Sequence, residues 1–456
     1  MEPEHLRFGG GATETMLNPL VAVGMLVAIV VIFASPRKKA ITPFLFACFS
    51  IPISQVVVLG SLHFPVLRIL IIAGLIRRAT LGGSSSGGKY PGGFNPVDRM
   101  VVLWTVSLLT ILSLQWMDSQ ALIHNLGDFL DALGGYLVVR FFIPDGEAVR
   151  RTIKTLGVVC VIQGAFMLNE QITHVNVFRY LEGNSGYVTI RAGKIRSDGV
   201  MGAGYAGTLA GGLIPLFLWL CSERKSRMAM YAAIAGATAM VFAANSSTPP
   251  LALASSLLGL ALWPLRKKMR LVRRGLAATL VGLHLVMHGP VWSLIARVDL
   301  TGSSSSYHRY YLVDNCIRHF RDWWLLGFKY YNLWGWDMWD LCNQFVVQAL
   351  VGGLLALVAY IAIFTRLFGA IGNARKHVEG DRGREWFLWC LGSSLFSVVV
   401  AHFGINYPAM MQMGLFTLWA IISTATFEAM QTVEATVEVP SESVPAGVPD
   451  PVGHCL

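Results

Sequence analysis

The chain has 456 residues, of which 54% are hydrophobic and only 14% charged, with a formal net charge of +10 and a mean hydropathy of +0.56. A soluble chain of this length carries about a quarter charged residues, so a soluble globular protein is excluded; strand-sized alternation is missing, which speaks against a membrane β-barrel. The positive charge is not that of a nucleic-acid binder, because most Lys and Arg fall in short loops between apolar runs, where they fix orientation in a bilayer.

The apolar residues come in runs of about 17–25, the length that crosses a bilayer as a helix. No cleavable leader is expected, because the first run, Met16 to Ala34, is too long and lacks a small-residue cleavage site. About thirteen spans follow, at roughly 16–34, 41–60, 62–76, 101–117, 124–142, 154–170, 200–221, 228–244, 251–265, 276–293, 344–368, 386–403 and 409–428. The third is short enough to be half of a broken helix. The predicted fold is all-α: a polytopic bundle of about 12–14 transmembrane helices within residues 1–431, with a large, partly helical loop outside the cytoplasm.

Starting with the first, every second loop is rich in cations: Arg37-Lys38-Lys39, Arg77-Arg78, Arg150-Arg151, Arg224-Lys225, the run Arg266 to Arg274, and Arg375-Lys376. By the positive-inside rule these loops face the cytoplasm, which puts the N-terminus outside and the C-terminus inside. Gly82 to Gly93 reads as a flexible cytoplasmic linker. Residues 432–456, rich in Pro, Val and Glu, read as a disordered cytoplasmic tail. The seven cysteines fall mostly inside apolar runs and read as small buried hydrophobes; with no metal-ligand spacing, no metal and no cofactor are expected. No internal repeat is visible, which argues against the inverted-repeat transporter folds.

Two loops of the opposite parity are long, about 171–199 and about 294–343, and both carry Arg and His on the side where cations are disfavoured. In the larger, serines 303–306 are good N-caps for a helix from about Tyr307 to Asp322. On that helix Tyr307, Tyr311, Asp314, Arg318 and Arg321 share one face, and His308, Asn315 and His319 form an adjacent stripe. Aromatics continue through Trp334, Trp336 and Trp339 to Asp340-Leu341-Cys342-Asn343-Gln344. Interfacial anchoring accounts for most of these rings, although their density beside several Arg also suits a sugar-binding platform. The smaller loop ends with Arg191, Lys194 and Arg196 just before a Gly-rich span, where cations and a helix N-terminus can combine as an anion site or contact headgroups. The turn Asn245-Ser246-Ser247-Thr248-Pro249-Pro250 can line a site or simply cap a helix. Asp128 and Asp131 share a face near the end of the fifth span, either as a counter-ion or base, or as surface residues.

At these loops the sequence resembles the O-antigen ligase and polymerase superfamily of bacterial membrane glycosyltransferases. The layout covers most of the chain, and the motifs cover mainly Arg196 to Gly212 and Ser303 to Gly353. Arg196-Ser197-Asp198-Gly199 is similar to the family's Arg-x-x-Gly before a small-residue span. Arg309 through Leu326-Gly327 is similar to its Arg-bearing helix and short hydrophobic-Gly element. Asn343-Gln344 with Gly352-Gly353 is similar to its Asn at a span start followed by paired glycines. Ligases usually carry His before that Asn, where this chain has Cys342, and Ser-Arg in the turn occupied by Ser247-Thr248. The resemblance therefore implies a polymerase more than a ligase: an exopolysaccharide or O-antigen polymerase of the bacterial inner membrane, working at the periplasmic face without a metal. Its partners would be an undecaprenyl-diphosphate-linked oligosaccharide, an acceptor glycan, the lipid bilayer and other polysaccharide-assembly proteins.

In such an enzyme Arg196 and Arg309 would stabilise the leaving diphosphate, with Arg191 and Arg318 next to them. The general base is left among His308, His319 and Asp340, while Tyr311, Asn343 and Gln344 join Arg191, Arg318 and His319 as substrate-binding candidates. Transfer to lipid A core by a ligase, a lipid-linked sugar flippase and a non-catalytic assembly subunit are the alternatives.

Overall fold

The computed structural model describes residues 14–60, 62–81, 90–191, 193–297, 305–335 and 337–437. The expected glycine/serine linker lies outside these residues from Gly82 to Lys89, as do Ser303, Ser304, Trp336 and the tail beyond Val437. The elements run α1 (Pro19–Ala34), α2 (Ile41–Cys48), β1 (Val56–Leu59), β2 (Leu62–Pro65), α3 (Val66–Leu81), α4 (Pro96–Trp116), α5 (Ser119–Phe129) and α6 (Gly135–Phe142). They continue with α7 (Gly146–Thr173), α8 (Val177–Leu181), β3 (Thr189–Arg191), β4 (Lys194–Arg196), α9 (Ala203–Leu220), α10 (Arg227–Ala243), α11 (Thr248–Ala261) and α12 (Met269–Val286). The last are α13 (Ser305–Arg318), α14 (Phe320–Trp323), α15 (Gln344–His377), α16 (Arg382–Ala401) and α17 (Ala409–Val437).

Among the described residues five helices are long and apolar enough to cross a membrane, namely α4, α7, α9, α15 and α17. A sixth results if α11 and Trp263–Val286, which meet at a bend of 71°, form one broken span. The protein is thus a mostly helical, multi-pass membrane protein. Most of the expected spans overlap a helix, but five or six helices long and apolar enough to cross stand against about 12–14 expected, and others, such as the 16-residue α1 and 17-residue α10, are shorter than a full crossing. The expected span at 41–60 is corrected. After α2 the chain meets Pro52, and the β-branched run Val56–Val58 pairs antiparallel with Leu62–Pro65, a strand that opens the expected third span. The last helix also runs past Thr432 to Val437, so the tail begins later than the composition implies.

Local signals explain where the helices start. Asn95 accepts from the Val97 and Asp98 amides while Asp98 accepts from the Asn95 amide, a reciprocal capping box with Pro96 at the first helical position. Asn343 and Asp381 cap α15 and α16 in the same way, each accepting two backbone N–H bonds. Small residues then let the helices approach. A Cβ on Gly164 of α7 would lie 2.6 Å from the Gly236 carbonyl oxygen of α10, so these two backbones touch. The aromatic centre of the bundle is built from Trp104, Tyr136, Tyr360, Phe416 and Trp419, with the Trp104 indole donating to Gln348 Oε1 at 2.7 Å.

The two ends of the bundle differ in charge. The cation-rich loops meet one another through cross-loop pairs: Arg77 with the Ser35 carbonyl, Lys38 with Asp145 at 2.6 Å, Arg150 with Glu223 at 2.7 Å, and Arg266 with Glu385 at 3.0 Å. Two buried ion pairs lie inside. Arg68 grips Asp131 at 2.7 Å, and both side chains are largely shielded, whereas Asp128 remains 55% exposed. Both aspartates thus serve as counter-ions to one arginine. Asp131, on the π-turn Leu130–Gly134, is the closer counter-ion, and the more exposed Asp128 reaches the same guanidinium at 3.4 Å. The fully buried Arg140, 3.6 Å from Asp98 and bonded to Thr424 Oγ1 and the Pro91 carbonyl, is a pair that the hydropathy pattern conceals.

Candidate functional site

At the end away from the cation-rich loops, α13 lies over the ends of several helices. Arg309, one turn into α13, reaches the N-terminus of α11: its Nη2 donates to Ser247 Oγ at 2.9 Å and Thr248 Oγ1 at 3.2 Å. The same guanidinium is close enough to the Cys342 side chain for its charge to act there. Burial pushes the Cys342 thiol up to about 11, against the pull of Arg309, so it sits there as a neutral thiol. Thr248 Oγ1 donates in turn to the Gly404 carbonyl at 3.0 Å. A Cβ on Gly404 would come within 2.9 Å of that hydroxyl and 3.5 Å of Arg309 Nε, so the chain between α16 and α17 forms the floor.

Asn343 and Gln344 fix this floor to α15. The Gln344 amide donates to the His402 carbonyl at 2.8 Å, and Gln344 Oε1 accepts from the Tyr407 amide at 2.8 Å. Asn343 spends its Oδ1 as the α15 cap, while its buried Nδ2 has no hydrogen-bond partner. Tyr205 of α9 donates to Asn406 Oδ1 at 2.7 Å from the other side. His308 shares a hydrogen bond with the Asp340 carbonyl through Nε2 at 2.8 Å, with Nδ1 3.7 Å from the Asp337 carboxylate, and so holds the segment before Cys342. The Asp340 carboxylate is exposed, and its charge is felt at the Cys342 thiol.

Arg196 arrives by another route. Its hairpin, β3 paired with β4, is tied to the turn after α10, where Asn245 Nδ2 donates to the Ile195 carbonyl at 2.6 Å and the Ser197 amide to the Ala243 carbonyl. Asn245 is two residues before Ser247, so both candidate cations are anchored to one turn, Arg309 directly and Arg196 through its neighbour. Burial, then the charge of Arg191, pulls the half-buried Arg196 guanidinium below its ordinary range. Asp198, the acid nearest in sequence, is taken by Arg179 at 2.6 Å, and among the described residues Arg196 forms no ion pair.

The remaining sequence candidates lie apart from this cluster. Arg318 pairs with Asp314 at 2.6 Å and is 70% exposed. His319 ends α13 instead of continuing it towards Asp322, and stacks on Trp334 at 4.6 Å, with Trp334 stacked on Phe328 at 5.1 Å. Tyr311 packs on Tyr307 and into the space left by Gly335, and Arg191 is exposed on its strand.

The element after α14 is seated in a break in α15. Gly353 has φ +62° and ψ −167°, so the helix is interrupted there. Leu350 and Leu354 would bond to each other in an intact helix. Instead the Leu350 carbonyl accepts from the Phe328 amide at 2.7 Å, and the Leu354 amide donates to the Trp324 carbonyl at 2.8 Å. Gly327, with φ +68°, lies so close that a Cβ would overlap the Leu350 oxygen. Residues 324–328 thereby lock the loop carrying Arg309 to the membrane domain.

Sequence reasoning left out Tyr205, Gly404, Asn406 and His402. The run His402-Phe403-Gly404-Ile405-Asn406-Tyr407-Pro408, with Gly, Asn and Pro between two apolar helices, was the available signal. Among the described residues no group of His, Cys, Asp or Glu is placed to hold a metal ion. The chemistry on offer is anion binding by guanidinium groups, flanked by hydroxyls, amides and one free carboxylate. No family model and no curated protein matches this sequence.

Proposed function

We propose that the protein is a polysaccharide polymerase of a bacterial inner membrane, which joins undecaprenyl-diphosphate-linked glycans at the periplasmic face. The observation that carries the reading is Arg309, set by Ser247 and Thr248 beside Cys342 at the end of the bundle opposite the cation-rich loops. Positive-inside orientation makes that end the outer one. In the reaction the anomeric C–O bond of the donor breaks, the acceptor hydroxyl oxygen bonds to the anomeric carbon, and undecaprenyl diphosphate leaves. Charge grows on the diphosphate, where Arg309 and Arg196 would receive it. The acceptor proton would pass to Asp340, since its carboxylate is exposed while His308 is occupied holding the loop.

Purified protein given only a lipid-linked repeat unit and EDTA is expected to produce a ladder of longer lipid-linked glycans. A covalently unchanged substrate moved across a liposome membrane would make the protein a flippase. One observation favours ligation to lipid A core as a second reading: Cys342, standing where ligases carry His, lies within the field of Arg309. Under the polymerase reading Cys342→Ser leaves the ladder intact, because a hydroxyl can accept from the same guanidinium. Glycan transferred unlengthened to added lipid A core would decide for the ligase.

The orientation has its own check. Reporter fusions at Ser304 and Thr432 are expected to score periplasmic and cytoplasmic respectively, and the same side for both would remove the proposed site from the outer face.

A further inference from the structure

A large cavity lies at the other end of the bundle, among the cation-rich loops. It holds about 1250 Å³ between the start of α7, the end of α9, the start of α16 and the end of α17. Its wall is aromatic: Trp219 stacks on Phe387 with centroids 3.9 Å apart, and Trp263 meets Trp386 edge-on at 5.1 Å. Tryptophan at helix ends marks the depth of the bilayer surface, where an apolar ring meets a wet edge. A cavity at that depth opens among lipid headgroups.

Its charges are unequally satisfied. Arg150 is held by Glu223 at 2.7 Å and lies over the Trp219 ring, and Glu428 accepts from the Gly146 amide at 2.6 Å. The carboxylates that line the cavity are therefore already engaged. Arg384 pairs with Asp381 at 3.2 Å, whereas Arg382, exposed at the first turn of α16, has neither a hydrogen bond nor an ion pair among the described residues. It borders this cavity and an adjoining one of about 510 Å³, where Arg266 already neutralises Glu385.

We infer that this cavity is a binding site for an anionic membrane glycerophospholipid, with the phosphate on Arg382 and the glycerol and upper acyl chains against the Trp219–Phe387 wall. A guanidinium with no partner is matched by a phosphodiester, which takes two parallel N–H bonds. Basic pockets between helices near the bilayer surface recognise such headgroups. A zwitterionic headgroup would add its own cation beside Arg382 and Arg150 and is disfavoured.

The full chain, purified and placed in nanodiscs of phosphatidylcholine with a minor share of phosphatidylglycerol, tests this by native mass spectrometry. Wild type is expected to retain a phosphatidylglycerol through detergent washing, and Arg382→Gln to retain it roughly tenfold less, the loss of one charge-assisted bond. Lys225→Gln removes the same charge from the same end but does not border the cavity, and should change nothing. Equal retention in the Arg382 variant, or equal retention of phosphatidylcholine, overturns the assignment. Displacement by millimolar inorganic phosphate also overturns it, since the site would then serve a free anion. Lipid retention is read without any glycan, so the proposed polymerase activity can fail while this site stands, and the reverse.

Discussion

Arg309→Ala is expected to abolish polymer formation while the protein remains folded and inserted. The guanidinium donates to the Ser247 and Thr248 hydroxyls and lies near the neutral Cys342 thiol. Folding loses the hydrogen bonds to Ser247 and Thr248, each worth about 1 kcal/mol, so the thermal midpoint should fall by only a few degrees. Catalysis loses a fixed cation aimed at the developing diphosphate charge, worth roughly 3 kcal/mol, about a hundredfold or more in rate. Arg309→Lys should rescue poorly, because a single ammonium cannot hold both hydroxyls and still offer a fork to phosphate. Arg196→Ala is expected to fail similarly. Arg318→Ala is the contrast. Its side chain is 70% exposed, and its partner Asp314 keeps the Trp292 indole bond, so the rate should stay within about twofold. Ladder formation by purified variants at equal protein level is the measurement. Normal ladders from Arg309→Ala would reduce the residue to a structural clasp between α13 and α11.

How much of this could be read from the chain follows from which interactions are local. Helix positions were legible because their signals lie within a few residues: Asn95-Pro96 with Asp98, Asn343, and Asp381 each announce a start. The hairpin at Val56–Pro65 was not, since an averaged hydropathy hides Pro52 and reads β-branched valines as span. Arg309 could be named as a cation in the right loop, but its partners sit 62 and 61 residues earlier, beyond any local pattern. Distance in sequence likewise concealed the pairs Arg68–Asp131 and Arg140–Asp98, whose members lie on different helices. Face-sharing on α13 was read correctly as far as Asp314 and Arg318, yet the same rule carried on to Arg321 across a helix end that the sequence does not mark. At that end His319 leaves helical geometry and stacks on Trp334, a residue of the following loop.

Gly353→Ala should be the most damaging single change in α15, and the reason is geometric. At φ +62° and ψ −167° the backbone is in a region that only glycine occupies without strain, and a Cβ would lie 2.7 Å from the Leu325 carbonyl oxygen. Strain and overlap together should cost about 3 kcal/mol or more. Relief requires either expelling residues 324–328 or closing the helix so that the Leu354 amide bonds to the Leu350 carbonyl. Closure would take the Leu350 carbonyl from the Phe328 amide and the Leu354 amide from the Trp324 carbonyl, and so release the loop that carries Arg309. Both routes couple stability to activity. The variant should therefore melt at lower temperature and lose polymer formation, whereas Arg309→Ala loses chiefly the second. Gly369→Ala supplies the control within the same helix, since nothing lies within 4 Å of its added Cβ. There the substitution replaces a poor helix former by the best one and should be neutral or stabilising by up to about 1 kcal/mol. Thermal unfolding of the two glycine variants in the same detergent decides the matter. If Gly353→Ala melts no lower than Gly369→Ala, the break in α15 is not what holds the 324–328 element in place.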